Sequence, residues 1–232
     1  MKIHIINPNS TASMTDKIAA AARGIASPGT QIIATNPSGT PASIEGFADE
    51  AVSVPPLLDE IRNGTEAGAD AFVVACFDDP GLNACREVTD RPVIGICEAA
   101  MMTASILAAR FSVVTTLPRA IPIIEDLADH YGMGRRCRRV RSAEIPVLAL
   151  EDEGDAAAQK VRAEVLKSVA EDGAEAVILG CAGMADLAAA LTEEAGVPVI
   201  DGVIAATKMA EALAGLGLKT SKAGAYAFPR QK

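Results

Sequence analysis

The chain contains the same short segment twice, and this internal repeat restricts the possible fold more than any other feature. Residues 68–76 read G-A-D-A-F-V-V-A-C, and residues 173–181 read G-A-E-A-V-I-L-G-C, almost half of the 232 residues later. Two further pairs of segments keep the same order: 2–9 with 110–117, and 91–95 with 197–201. Matched segments in one order at nearly one spacing indicate internal duplication.

The hydrophobic spacing between these segments alternates between strand-like runs and helical steps of about four residues. We predict strands near 3–6, 31–34, 71–75, 93–96, 111–115, 137–141 or 145–149, 177–180 and 198–200, with a last helix over 203–214. Helical faces are formed by Met14, Ile18, Ala22 and Ile25, and by Ile121, Ile124, Leu127 or Ala128, and Tyr131. Ser10 or Ser13 is the expected cap of the first helix. This alternation predicts an α/β protein with parallel sheets.

The two cysteines that close the repeated segment are the first candidates for chemistry. Cys76 and Cys181 each end a predicted buried strand, and ligands of open parallel sheets lie just beyond the carboxyl ends of strands. If the two halves face each other, one cleft holds a thiol on each wall. Such a pair can take a proton from one face of a carbon and return one to the other face.

The surroundings of these thiols predict opposing effects on their ionisation. We expect both strands to run directly into a helix, whose N-terminus favours the thiolate. Asp78 and Asp79 oppose that effect if they point at Cys76, because a nearby negative charge raises a thiol pKa. The loops 7–10 and 115–116 leave equivalent strands, so they are expected to border the same cleft or, through Ser10 and Thr116, to cap helices.

The remaining cysteines and the two histidines carry less functional signal. Cys85, Cys97 and Cys137 have no counterpart in the repeat and are expected to be small buried side chains. The five cysteines lack C-x-x-C spacing, which disfavours a disulfide framework or a metal site. His4 and His130 are expected to be structural. Glycine-rich phosphate loops are absent from the sequence, so a nucleotide cofactor has no support.

Composition excludes several classes of partner. The net charge of −9, the 3% aromatic content and the absence of Trp disfavour a nucleic-acid or anionic-membrane surface. The longest uncharged apolar stretch, 99–109, is too short to cross a bilayer, and no signal peptide is visible, so we expect a cytoplasmic protein.

The basic segment 135–141 is expected to be a solvated or subunit-contacting strand in preference to an anion pocket.

Four segments resemble the motifs of hydantoin racemases, which belong to the aspartate/glutamate racemase superfamily. They are N-P-N-S at 7–10, I-E-G-F-A-D-E-A at 44–51, A-C-F-D-D-P-G-L at 75–82 and L-G-C-A-G-M at 179–184. The likeness extends over nearly the whole chain. It implies a cofactor-independent, homo-oligomeric racemase with two pseudo-symmetric, doubly wound parallel-sheet domains and the active site between them. It also implies that Cys76 and Cys181 are the acid/base pair.

The resemblance further implies a division into domains and a set of contacts to a small-molecule substrate. If the C-terminal helix packs back on the first domain, the domains comprise 1–97 plus 205–232, and 98–204. The expected substrate is a 5-monosubstituted hydantoin. The residues expected to bind it are Asn9, Ser10, Phe77, Asp78, Thr115, Thr116, Ala182 and Gly183.

Departures from the superfamily patterns discriminate among substrates. Amino-acid racemases typically have an Asn-Thr pair after the first cysteine, whereas Phe77-Asp78 stands here, so a neutral cyclic ureide is favoured over a free carboxylate. Phe47 and Asp78 replace an expected Tyr and Gly, which leaves the 5-substituent open. Arylmalonate decarboxylases keep only the second cysteine, so Cys76 disfavours decarboxylation. Allantoin racemase, amino-acid racemase, a non-catalytic ligand-binding module and a thiol redox pair remain as alternatives.

Overall fold

The structure, a computed structural model, describes residues 1–152 and 155–230 and contains two parallel sheets. Their strands are β1 (Lys2–Ile6), β2 (Gln31–Thr35), β3 (Ala71–Val74), β4 (Val93–Gly95), β5 (Phe111–Thr115), β6 (Cys137–Ser142), β7 (Ala176–Leu179) and β8 (Val199–Asp201). The order is β2-β1-β3-β4 in the first sheet and β6-β5-β7-β8 in the second, with every pairing parallel. The same order in both halves confirms the duplicated α/β architecture.

Helices cover both faces of the sheets. They are α1 (Ala12–Ile25), α2 (Phe47–Glu66), α3 (Leu82–Val88), α4 (Ile96–Leu107), α5 (Ile121–His130), α6 (Ala149–Asp152), α7 (Asp155–Asp172), α8 (Ala188–Ala195) and α9 (Gly202–Gly215). Short 3₁₀ turns cover Pro118–Ala120, Ala182–Leu187 and Gly224–Tyr226. Within the ranges given above, no helix has both the length and the apolar character needed to span a bilayer.

The alternation of side chains along the strands explains the layered packing. Ile3 and Ile5 of β1 point into a large apolar cluster that also contains Phe111 and Ile178 from the second sheet. Ile6 points to the opposite face, into a smaller cluster beneath α2 and α3. Because consecutive strand residues face opposite sides, each strand needs apolar cover on both faces. One core therefore joins the two halves.

Two predictions about individual elements needed the structure to decide them. Of the two candidate strands, 137–141 is the correct one, and 145–149 contains Pro146, which cannot donate to a strand ladder. The expected cap of α1 is wrong, since Thr11 occupies the N-cap position and makes no side-chain cap bond. The Thr11 hydroxyl instead donates to the Ala42 carbonyl at 2.6 Å, which attaches the 36–46 loop.

The basic segment forms an edge strand whose last arginine departs from the prediction. Arg141 is only 8% exposed and pairs with carboxylates of α7, namely Asp172 at 2.7 Å, Glu171 at 2.7 Å and Glu164 at 3.3 Å. A buried guanidinium requires such partners. Arg138 remains exposed, as predicted for a solvated strand.

The helices that follow the last strand of each half, α4 and α9, pack against each other. Helix α4 packs against β7 and β8 of the second sheet, and α9 packs against α1, β3 and β4 of the first half. A Cβ added at Gly202 would lie 2.6 Å from the Ile96 carbonyl oxygen. Ile96 and Gly202 are the first residues of α4 and α9, so equivalent positions of the duplication meet here. The division into 1–97 plus 205–232, and 98–204, stays a prediction.

Candidate active site

Both cysteines of the repeat line one small cavity between the two sheets. Cys76 follows β3 and Cys181 follows β7, so both stand at the carboxyl ends of equivalent strands. The cavity has a volume of about 40 Å³. The thiols are close enough that charge on Cys181 raises the pKa of Cys76. The duplication thus brings two thiols to a single cavity from opposite halves.

The chain leaves the two cysteines in different ways. After Cys181 the 3₁₀ turn Ala182–Leu187 begins at once, as expected. After Cys76 a turn intervenes, in which the Asp79 N–H donates to the Cys76 carbonyl at 3.1 Å. Helix α3 begins only at Leu82, with Gly81 before it at φ 60°, a conformation that favours glycine. The expectation that the strand runs directly into a helix is therefore wrong at Cys76.

The electrostatic environment of Cys76 opposes its ionisation. Burial, followed by the charge of Asp78, raises the pKa of Cys76 well above its usual value. The Asp78 N–H lowers it by a hydrogen bond, but by less. Burial, together with the charge of Glu50, raises the pKa of Asp78 itself to about 7. Of the opposing effects expected from the sequence, the one that raises the pKa prevails at Cys76, whose resting form at neutral pH is the thiol.

The second wall is positioned by a close contact between β5 and β7. The Thr115 hydroxyl donates to the Gly180 carbonyl at 3.2 Å, immediately before Cys181. A Cβ at Gly180 would lie 3.1 Å from both the Thr115 Cβ and the Val114 carbonyl oxygen. Glycine at this position therefore allows the strands to approach closely enough to place Thr115 beside Cys181.

An asparagine amide is held on the first wall. The Asn9 Oδ1 accepts hydrogen bonds from the Asn7 side chain at 2.8 Å and from the Thr11 N–H at 2.9 Å. The Asn9 Nδ2 then points to the Met14 sulfur at 3.3 Å, and thioether sulfur is a weak acceptor. The amide N–H of Asn9 can therefore exchange this contact for a better acceptor in the cavity.

Most of the side chains predicted to bind substrate meet at this cavity. Its lining includes both cysteines and Asn9, Phe77, Asp78, Thr115, Thr116 and Ala182. Ser10 and Gly183 are not among the described residues that line it. The Ser10 N–H donates to the Pro41 carbonyl at 2.9 Å, and a Cβ added at Gly183 would lie 3.8 Å from the Cys181 sulfur. Their binding roles stay predictions.

The structure adds cavity residues that sequence reasoning did not select. They are Met14, Ile44, Glu45, Ala75, Leu117, Ala120, Val147 and Gly180. Glu45 lies within the I-E-G-F motif, which was the available signal for it. Its Oε1 accepts a hydrogen bond from the Val147 N–H at 3.1 Å and so joins the two halves. Ile44 lies in the same motif, but its apolar side chain carried no separate signal, because apolar residues also fill the core.

The histidines lie away from the described lining of the cavity, as expected. His4 is buried within β1 and hydrogen-bonds the Thr35 hydroxyl at 2.8 Å, and burial lowers its pKa. His130 is exposed at the end of α5 and packs edge-on against Tyr131.

Residues 3–210 match the family model described as Asp/Glu/Hydantoin racemase. The chain belongs to this family. A hydantoin racemase of Rhizobium meliloti is 57% identical over 232 residues, covering 100% of this chain and 96% of the relative. Because named hydantoin racemases are similar to this chain over its full length, this member of the Asp/Glu/Hydantoin racemase family is an isomerase.

Solved structures of similar proteins agree with the family assignment. The allantoin racemase from Klebsiella pneumoniae has a TM-score of 0.98 and 50% identity, covering 100% of this chain and 95% of that chain. The allantoin racemase from Pseudomonas fluorescens has a TM-score of 0.95 and 40% identity, covering 100% and 98%. Relatives with similar folds and sequences are therefore named after two related substrates, hydantoin and allantoin.

Proposed function

We propose that the protein is a cofactor-independent racemase that inverts C5 of 5-monosubstituted hydantoins by proton transfer between Cys76 and Cys181. The observation that carries this proposal is the single cavity lined by two thiols from equivalent positions of the two halves. The adjacent carbonyl acidifies the C5–H of the ring. One sulfur, as thiolate, removes this proton to form an enolate, and the opposite thiol protonates the other face.

The enolate needs hydrogen-bond donors aimed at its developing negative charge. The Asn9 amide and the Thr116 hydroxyl are available from the cavity wall, and the Thr115 hydroxyl becomes available if it turns away from the Gly180 carbonyl. The backbone N–H groups that follow Cys76 and Cys181 are the other expected donors. Preorganised donors of this kind stabilise a transition state more than water does, because they need no reorientation during the reaction.

The charges of the lining favour a ureide over a free amino acid. Glu45 and Asp78 are its charged side chains, and neither lysine nor arginine lines the cavity in the described part of the chain. A substrate carboxylate here would face two acidic groups without a cation to balance it. A hydantoin instead offers ring N–H groups, which carboxylates accept readily.

Substrate entry requires the cavity to open. A volume of about 40 Å³ holds only a few water molecules, since one water needs roughly 10–15 Å³ by this measure. The contact between Glu45 and the Val147 N–H closes the 36–46 loop against the second half. We expect this contact to break when a hydantoin enters.

Allantoin is the second candidate substrate, because the lining carries carboxylates that can bind its ureido substituent. Glu45 and Asp78 can accept hydrogen bonds from the N–H groups of a ureido substituent at C5. The apolar side chains of Met14, Ile44 and Val147 instead favour an alkyl or aryl substituent. The same two thiols serve either substrate.

A substrate panel tests the proposal. Single enantiomers of several 5-monosubstituted hydantoins, allantoin, aspartate and glutamate are incubated with the protein and no added cofactor, and chiral chromatography follows inversion. Heat-denatured protein controls for spontaneous racemisation of the ring. We expect hydantoins to be inverted fastest and both amino acids to be inert. Faster inversion of allantoin would favour the second candidate, and inversion of aspartate or glutamate alone would contradict both.

A further inference from the structure

A buried carboxylate close to Cys76 has a role that the proton transfer does not explain. Asp79 lies three residues after Cys76 and is 5% exposed. Its Oδ1 accepts from the Cys97 N–H at 3.2 Å, and its Oδ2 accepts from the Glu98 N–H at 2.9 Å and the Tyr131 hydroxyl at 2.7 Å. Both oxygens are therefore occupied by groups outside the cavity lining.

Comparison of the two halves shows what Asp79 replaces. In the second half, Asp201 is the N-cap of α9, and its Oδ1 accepts from the Ile204 N–H at 2.7 Å. The equivalent N-cap of α4 is Gly95, which has no side chain. A Cβ added at Gly95 would overlap the Asp79 carboxylate. Asp79 thus caps α4 in place of residue 95, which attaches the turn of Cys76 to that helix.

The Tyr131 hydroxyl extends this attachment to the second half. Tyr131 follows α5, which packs against β6 of the second sheet. Asp79 has φ 45°, a conformation that non-glycine residues rarely adopt and that persists only where surrounding contacts hold it. The turn that carries Cys76 is therefore held from the first half by α4 and from the second half by Tyr131.

We propose that Asp79 and Tyr131 are positioning residues that fix the sulfur of Cys76 opposite that of Cys181. This inference rests on the proposed two-thiol transfer. A proton can be delivered to the opposite face only if both sulfurs lie within reach of one carbon, and a displacement of about 1 Å can cost roughly 100-fold in rate. Neither side chain is among the described residues that line the cavity, so they act through the placement of Cys76.

Three variants disturb this connection in different ways. Asp79→Asn keeps a residue type that tolerates positive φ but loses a carboxylate acceptor. Tyr131→Phe removes only the hydroxyl, and Gly95→Ala displaces the carboxylate without changing its chemistry. Tyr226→Phe is the matched control, because its exposed hydroxyl donates to Asn83 at 2.9 Å on the surface. We expect kcat to fall roughly 10- to 100-fold in the three variants with KM near its wild-type value, and no change in the control.

Deuterium incorporation separates positioning from a general loss of stability. In D₂O, displacement of Cys76 slows its protonation of the enolate. Cys181, which has removed the proton from C5, then has time to exchange that proton for deuterium before returning it. For the enantiomer that Cys181 deprotonates, the variants should therefore place more deuterium at C5 of the remaining substrate, relative to inversion, than the wild type does. Destabilisation alone lowers both processes together. Assays are run below the unfolding temperature of each variant.

The result that would overturn this inference is wild-type kcat in all three variants, or a reduced kcat with an unchanged ratio of exchange to inversion. A Cys76→Ser variant is measured alongside them. If it racemises at the wild-type rate, the two-thiol proposal itself fails. If it is inactive while the three variants behave as wild type, only the positioning role of Asp79 and Tyr131 fails.

Discussion

At the scale of single residues, the main finding is that Cys76 rests as the thiol, which must lose its proton before it can act as a base. Burial and then the charge of Asp78 raise the pKa of Cys76, so the thiolate is scarce at neutral pH. A thiolate with a raised pKa is a stronger base, which suits removal of a proton from carbon. Since its population increases with pH up to that pKa, kcat/KM for hydantoin racemisation should rise from pH 6 into the alkaline range.

Asp78→Asn tests the electrostatic part of this explanation. Removing the neighbouring charge should lower the pKa of Cys76 and move the rise of kcat/KM to lower pH. The pKa of Asp78 is about 7, so the two profiles should diverge only above about pH 7, where Asp78 is ionised. Asp59→Asn, which neutralises a carboxylate with a 71% exposed side chain on α2, is the control. A profile for Asp78→Asn that coincides with the wild type, or moves to higher pH, would contradict the explanation.

At the scale of elements, the packing of α4 against α9 connects the two halves. Gly202 begins α9 against the backbone of Ile96, and a Cβ there would lie 2.6 Å from the Ile96 carbonyl oxygen. Backbone atoms cannot move aside as a side chain can. The pairing of a large and a small residue at equivalent positions allows this close approach of the two helices.

Gly202→Ala should therefore lower the free energy of unfolding by about 1–3 kcal/mol, the usual range for overpacking. Gly24→Ala, in the last turn of α1, is the matched control, because its added Cβ meets nothing within 4 Å. It should leave stability unchanged or raise it by up to about 1 kcal/mol. Urea unfolding at neutral pH measures both. Equal stabilities for the two variants would mean that the contact between α4 and α9 tolerates the extra methyl group.

At the scale of the whole molecule, the repeat made the architecture predictable. The strands, their parallel pairing and the meeting of Cys76 with Cys181 at one cavity follow from three segments that recur in order. The placement of Glu45 and Asp79 was not predictable. Each depends on a contact between distant segments, Glu45 with Val147 and Asp79 with α4 and Tyr131, and no local pattern encodes those distances.

The direction of the Cys76 pKa shift was also not predictable from the sequence. The sequence places a thiol before a helix and beside two aspartates, but it does not say how deeply the sulfur is buried. Burial proves to be the largest cause of the shift, and the turn of residues 77–81 keeps α3 away from Cys76. A local expectation about a helix N-terminus was therefore overridden by tertiary packing.

The proposal that the two sulfurs work from opposite faces of one ring is tested most directly by hydrogen exchange at C5 in D₂O. Cys76→Ser and Cys181→Ser are each given the separate enantiomers of one hydantoin, and NMR follows loss of the C5–H signal while chiral chromatography follows inversion. Inversion should fall by about 10²–10⁴-fold in both variants. Each variant should retain exchange of one enantiomer only, and the two variants should select opposite enantiomers. Exchange of the same enantiomer by both variants, or racemisation at the wild-type rate by either, would contradict a carbon held between Cys76 and Cys181.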